Sequence, residues 1–113
     1  MKLAVVGSRG LNIDSLEPYV PPGVTEIVSG GVRGVDTCAA AYAQTHGLKP
    51  TVFLPEYTRY GRSAPLCRNR EIVAYADAVL ALWDGASRST AFVMREAGNQ
   101  QKPLTVIPLP PEG

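Results

Sequence analysis

The chain is poor in the residues on which most side-chain catalysis and metal binding rely. Its 113 residues include a single histidine, His46, and two cysteines, Cys38 and Cys67. The cysteines fall in segments of helical pattern and show no metal-ligand spacing, so no zinc site is expected. They read as reduced core residues, which places the protein in the cytoplasm. One histidine at a predicted helix end supports no Ser/His/Asp set and reads as a C-terminal cap. Lysine is also scarce: the eleven basic residues are eight arginines and three lysines, and against ten acidic residues they leave a net charge of +1. That balance argues against a strongly basic nucleic-acid surface. No apolar run reaches membrane-spanning length, and Lys2 followed by a short apolar run and Gly7 does not have the form of a signal peptide. No G-x-x-x-x-G-K-[ST] occurs, which excludes a P-loop nucleotidase. No metal and no cofactor is expected.

What remains is an ordinary globular composition, 45% hydrophobic and 19% charged, in a length that suits one domain spanning residues 1–113. Five short apolar runs read as strands: Leu3 to Val6, Thr25 to Val28, Thr51 to Leu54, Ala78 to Trp83 and Leu104 to Ile107. Runs without polar alternation suit strands covered on both faces. Between them, helical patterns cover Asn12 to Tyr19, Arg33 to His46, Pro65 to Ala76, and the segment from Ser87 through Gln100. The second carries a stripe of Val35, Ala39, Tyr42, Ala43 and His46, and Gly47 is its stop. Glu56 to Ser63 reads as a long loop, and Pro108 to Gly113 as a frayed tail. Alternating strands and helices predict an α/β, Rossmann-like domain: a doubly wound, five-stranded parallel sheet with helices on both faces.

In such sheets ligands bind beyond the carboxyl ends of the strands. The unusual loops of this chain all follow strands: Gly7-Ser8-Arg9-Gly10, Ser29 to Asp36, Pro55 to Ser63, and Asp84 to Thr90. The second, Ser29-Gly30-Gly31-Val32-Arg33-Gly34-Val35-Asp36, joins a strand to a helix start. There, glycines let free N–H groups approach an anion closely. It nearly matches G-x-G-x-x-G, with Ser29 at the first glycine position and after the second strand rather than the first. A tight turn with no ligand is the plainer alternative. Asn69 falls on one stripe with Leu66, Val73 and Ala76, where a buried amide must find hydrogen bonds from a loop backbone or a ligand.

Taken in order, Gly7-Ser8-Arg9, the stretch Ser29 to Asp36, Tyr60-Gly61 with Arg68-Asn69, and Trp83-Asp84-Gly85-Ala86-Ser87 resemble the SLOG superfamily. The likeness covers nearly the whole chain and is closest to the small YpsA/YspA-like members. That superfamily also holds the LOG phosphoribohydrolases, the DNA-processing protein DprA and molybdenum-cofactor carrier proteins. The resemblance implies a Rossmann-like sheet that binds a nucleotide or nucleotide-derived small molecule, and a homodimer. The ligand-binding residues it suggests are Gly7, Ser8, Arg9, Ser29, Gly30, Gly31, Arg33, Gly34, Asp36, Tyr60, Arg68, Asn69, Asp84, Gly85, Ser87, Ser89 and Thr90.

Each has a physical role to offer. Arg9 can reach a phosphate, and Asp36 either accepts from a ribose hydroxyl or complements its helix dipole. Tyr57, Arg59, Tyr60, Arg62, Arg68 and Arg70 can form a lid of rings and guanidinium groups over a base and its phosphates. The family pattern is departed from near the last motif. Ser89-Thr90 stands where many members carry Gly-Thr, and Ala86-Ser87 where the hydrolases carry Gly-Gly. Val93 occupies the position of their catalytic glutamate, so that carboxylate is missing. Asp84 and Glu71 are left as weak candidates for catalysis, Asp84 equally as a turn former before Gly85. The expected function is therefore nucleotide binding, with a sensing or sequestering role. A LOG-like N-glycosidic hydrolase and a DprA-like single-strand binder are the alternatives, the last disfavoured by charge.

Overall fold

A computed structural model describes residues 1–7, 16–30 and 35–108. Five strands form one sheet in which every pair is parallel: β1 (Lys2–Gly7), β2 (Glu26–Ser29), β3 (Lys49–Val52), β4 (Ala78–Trp83) and β5 (Leu104–Pro108). Their spatial order is β3-β2-β1-β4-β5. Three helices of more than two turns are described: α1 (Val35–Thr45), α3 (Ala64–Tyr75) and α4 (Arg88–Asn99). A single turn, α2 (Tyr57–Tyr60), runs into a 3₁₀ turn over Gly61–Ser63. Another short 3₁₀ turn covers Glu17–Tyr19.

The continuous apolar runs have the two-sided burial that they imply. Leu3, Val5, Ile27, Leu80 and Leu82 face one layer with Leu16 and with Ala39 and Ala43 of α1. Ala4, Val6, Val28, Val79 and Ala81 face the other, against Ile72, Val73 and Ala76 from α3 and its end and against Val93 and Ala97 of α4. The sheet is thus doubly wound, with helices on both faces. Among the described residues no helix is long and apolar enough to cross a membrane.

Helix ends follow local chemistry. Gly47 has φ +68, and Leu48 N–H reaches back to Ala43 O at 2.8 Å, which ends α1 in a Schellman turn. His46 stacks on Tyr42 at 3.9 Å and its Nδ1 donates to Tyr42 O at 3.0 Å, the capping role expected of it. At the end of α4 the same geometry recurs without glycine. Lys102 N–H bonds Ala97 O at 2.8 Å, and Gln101 takes φ 56. The Lys102 ammonium donates to Ala76 O at 2.7 Å, closing the end of α3 with a charge of the favourable sign.

Four expectations from sequence need correction. The third strand is Lys49–Val52, two residues earlier than predicted. Its register on β2 runs from Glu26 opposite Lys49 to Ser29 opposite Val52, so it stops where β2 stops. Pro50 is tolerated because β3 is an edge strand. The segment from Glu56 to Ser63 is mostly helical turn rather than loop. Leu66 is exposed, and the buried face of α3 runs through Ala64, Arg68, Asn69, Ile72 and Val73. Pro108 belongs to β5 rather than to a tail, while 109–113, like the first half of the helix predicted for Asn12 to Tyr19, lies outside the described residues.

One polar cluster lies at the opposite end of the sheet from the strands' carboxyl ends. Buried Glu26, at the start of β2, accepts from the Tyr75 hydroxyl and from Thr51 Oγ1 at 2.7 Å. These hydrogen bonds, Tyr75's first, hold its carboxyl below the ordinary glutamate range, with Lys49 and Lys2 adding to the effect. Asp77 is lowered chiefly by the Lys2 N–H that it accepts at 2.8 Å.

Two outcomes are expected. Both carboxyls are depressed on folding, so their stabilisation is complete above the unfolded carboxylate range and is lost as pH falls through the folded values. Urea unfolding at pH 7 and pH 4 should show that loss, and Glu26→Gln should flatten it. Gln101→Gly should stabilise by about 1 kcal/mol by relieving left-handed strain. An unchanged melting midpoint would contradict that assignment.

Candidate functional site

The strand order reverses between β1 and β4: the chain moves from β1 outward through β2 and β3, then crosses to β4 and β5. A sheet of this kind opens a crevice beyond the carboxyl ends of the two strands at the reversal. Gly7 ends β1 opposite Leu82 of β4, Ser29 and Gly30 follow at the end of β2, and Asp84 leaves β4. Ser29 and Gly30 are both buried. The motif loops therefore start from neighbouring strand ends.

The turn from β4 into α4 is held by its own polar groups. Asp84 Oδ1 accepts from Ala86 N–H at 2.8 Å and Ser87 N–H at 2.9 Å, an Asx turn that gives Asp84 a structural task. Gly85 sits at φ +86, in the left-handed region. Ser87 is the N-cap of α4, accepting Thr90 N–H on Oγ at 3.3 Å and donating to Thr90 Oγ1 at 3.2 Å. Thr90 is buried. The indole of Trp83 donates to Ser87 O at 3.0 Å, so the last residue of β4 braces the start of α4. In the sequence Trp83 heads the fourth motif at the strand end, with no role read for its indole.

The most informative side chain is Arg68. It is 7% exposed, and Asn69 beside it 4%. Nη1 donates to Gly30 O at 2.8 Å and Nε to Asn69 Oδ1 at 2.8 Å. Asn69 Nδ2 donates in turn to Ser89 Oγ at 3.2 Å. One buried pair on α3 thus ties the end of β2 to the first turn of α4. Arg68, expected at the ligand, is buried and bonded to the end of β2 and to its neighbour on α3. A methyl group on Gly30 would lie 2.7 Å from Arg68 Nη1 and 3.0 Å from Cζ. Glycine is needed there for the close approach of the protein's own guanidinium.

The remaining predicted residues divide simply. Gly7, Ser29, Gly30, Arg68, Asn69, Asp84, Gly85, Ser87, Ser89 and Thr90 lie at the strand ends or on the helices bonded to them. Tyr60, at the end of α2, has the Arg59 guanidinium 4.9 Å above its ring and no hydrogen bond into this network among the described residues. Arg59 also approaches Glu56 at 3.9 Å on the surface. Arg70 is turned to Glu96 at 3.7 Å and to the Phe92 ring. Glu71 is exposed on α3. Ser8, Arg9, Gly31, Arg33 and Gly34 lie outside the described residues, as does the side chain of Asp36. Among the described residues no group of three or more His, Cys, Asp or Glu is placed to hold a metal.

No family model, no curated protein and no solved structure matches the chain. What the geometry establishes is a five-stranded parallel α/β sheet of Rossmann-like form, with motif residues gathered at its switch point.

The Arg68 contact generates a direct test. Gly30→Ala should destabilise by roughly 1–3 kcal/mol, because the added methyl displaces a tethered buried side chain. In an Arg68→Ala background most of that cost should vanish, since the clash has gone. Additive losses in the double-mutant cycle would refute the contact.

Proposed function

We propose that the protein binds a nucleotide or a nucleotide-derived small molecule in the crevice beyond β1 and β4. The observation that carries this reading is the convergence of Gly7, Ser29-Gly30, Arg68-Asn69 and the Asp84–Thr90 turn at one switch point. The first N–H groups of α4 have no intrahelical acceptor, and they lie beside the exposed Ser89 hydroxyl. Groups of this kind suit an anionic oxygen. The SLOG resemblance of the four motifs supports the same reading and suggests a sensing or sequestering role, with homodimerisation.

Binding is favoured over hydrolysis by what the candidate carboxylates do. Asp84 is engaged in building its turn through the N–H groups of Ala86 and Ser87. Val93, where the hydrolases of that superfamily carry a glutamate, is 1% exposed and packed in the core between α4 and the sheet. A carboxylate at that depth would have to be desolvated, so valine there makes the position a packing one.

Thermal melting against a panel of nucleoside mono- and diphosphates tests the proposal. A ligand at one hundred times its Kd stabilises the native state by about 2.7 kcal/mol, several degrees for a domain of this size. Mass spectrometry of molecules released on denaturation should show the same class of compound. A flat melting temperature across the panel, with nothing released, would overturn the reading.

A further inference from the structure

The two edges of the sheet differ in how they are guarded. In a strand the N–H and C=O of one residue share a side, and that side alternates along the chain. At the β3 edge, Lys49 N–H bonds Thr25 O and Phe53 N–H bonds Ser29 O, so Pro50 and Val52 turn outward. Pro50 has no N–H to offer and Lys49 adds a charge, two ordinary protections of an edge strand. At the β5 edge, Val79 N–H bonds Pro103 O at 2.9 Å, and β5 lies in register on β4 from Leu104 to Pro108. Thr105 and Ile107 thus serve β4, while the N–H and C=O groups of Leu104 and Val106 point away from the sheet. No charged residue stands in 103–108, and among the described residues no strand pairs with β5 on that side. Leu104 and Val106 are exposed apolar side chains on one face, and Thr105 is exposed on the other.

We infer that the β5 edge docks a second copy of this chain, antiparallel, about a two-fold axis through Thr105. The inference rests on the homodimer in the proposed function and names its surface; the nucleotide crevice takes no part in it. The axis sets Leu104 opposite Val106 of the second copy, where the two exchange N–H and C=O, and symmetry repeats the pair. Every outward donor and acceptor of Leu104 and Val106 is then used. An axis through Val106 would instead set Leu104 opposite Pro108, which has no N–H to return. Two-fold pairing brings each residue near its own copy, so a charged strand would repel itself. This strand is neutral, which favours a second copy over a partner of complementary charge. Leu104 and Val106 of both copies meet as one apolar cluster, and on the other face Thr105 meets its own copy, a favourable cross-strand pair. Strands of five residues bury less than a standard interface, so the dimer is reversible and depends on concentration.

Sedimentation velocity of the full chain, from low to high micromolar concentration, tests the surface. Wild type should pass from monomer to dimer as concentration rises. Thr105→Lys and Thr105→Glu each set like charges face to face on the axis and should weaken the dimer on the order of tenfold or more. Thr105 is exposed, so circular dichroism should show both variants folded. Mixed in equal amounts, the two variants should pair with each other and restore the dimer, a rescue that a merely unfolded variant does not give. A wild-type dimer that both substitutions leave intact overturns the β5 surface and leaves a homodimer on another face. Variants that are monomeric alone and stay monomeric when mixed overturn the two-fold through Thr105. Wild type that is monomeric throughout overturns the inference and the homodimer together, and leaves nucleotide binding to the melting panel.

Discussion

A buried guanidinium that can only donate fixes what surrounds it. Arg68 sits between the end of β2 and the amide of Asn69, and Asn69 reaches Ser89 on α4. Three elements that lie far apart in sequence are thereby held at fixed distances where the strand order reverses. Charge-assisted hydrogen bonds are among the stronger ones available, and burial strengthens them while making their loss costly. The backbone around Gly30 is adapted to this contact, for a Cβ there would meet the guanidinium below van der Waals distance. The end of β2 is therefore covered by the protein's own cation, bonded to the Gly30 carbonyl.

The two ends of the sheet carry opposite kinds of polar chemistry. At the carboxyl ends of the strands, backbone N–H groups, hydroxyls and Arg68 collect, and the described carboxylate there, Asp84, is engaged with N–H groups. At the other end, Glu26 accepts from Tyr75 and Thr51, while Lys2 stands over the Tyr75 ring at 4.2 Å. Glu26 joins β2 to β3 and, through Tyr75, to the end of α3. The start of α3 is tied to β2 by Arg68. One helix is thus pinned to one strand near both of its ends, by an acceptor at one and a donor at the other.

Much of this architecture was legible in the sequence, because parallel strands buried on both faces leave continuous apolar runs. Ala78 to Trp83 was read with the bounds that the structure gives, and Gly47 marked the end of α1 through its left-handed φ. The site's loops could be listed by the same logic, since they follow strands. The state of Arg68 could not be read. Periodicity counts apolar residues, so it gives Arg68 no place in the core, and the stripe runs through Leu66, which is 43% exposed. A long side chain can bury its stem and satisfy its head at a distant carbonyl, and Gly30 is 38 residues away from it. Local pattern holds no record of such a contact.

The Arg68 contact changes what a glycine-rich turn says about function. Glycine after a strand is needed wherever something approaches the backbone closely, and the sequence does not state whether the visitor is a phosphate or a side chain. At Gly30 it is a side chain. Gly30 thus accommodates Arg68, and the groups best suited to an anion lie at the α4 start instead. There the Asx turn of Asp84, the Ser87 cap and the Trp83 indole hold the helix terminus in place. Each of these groups is satisfied within the protein, while the first N–H groups of a helix have no intrahelical acceptor. A terminus braced in this way can meet an anion without first ordering itself, which is the condition under which weak individual donors add up to useful affinity.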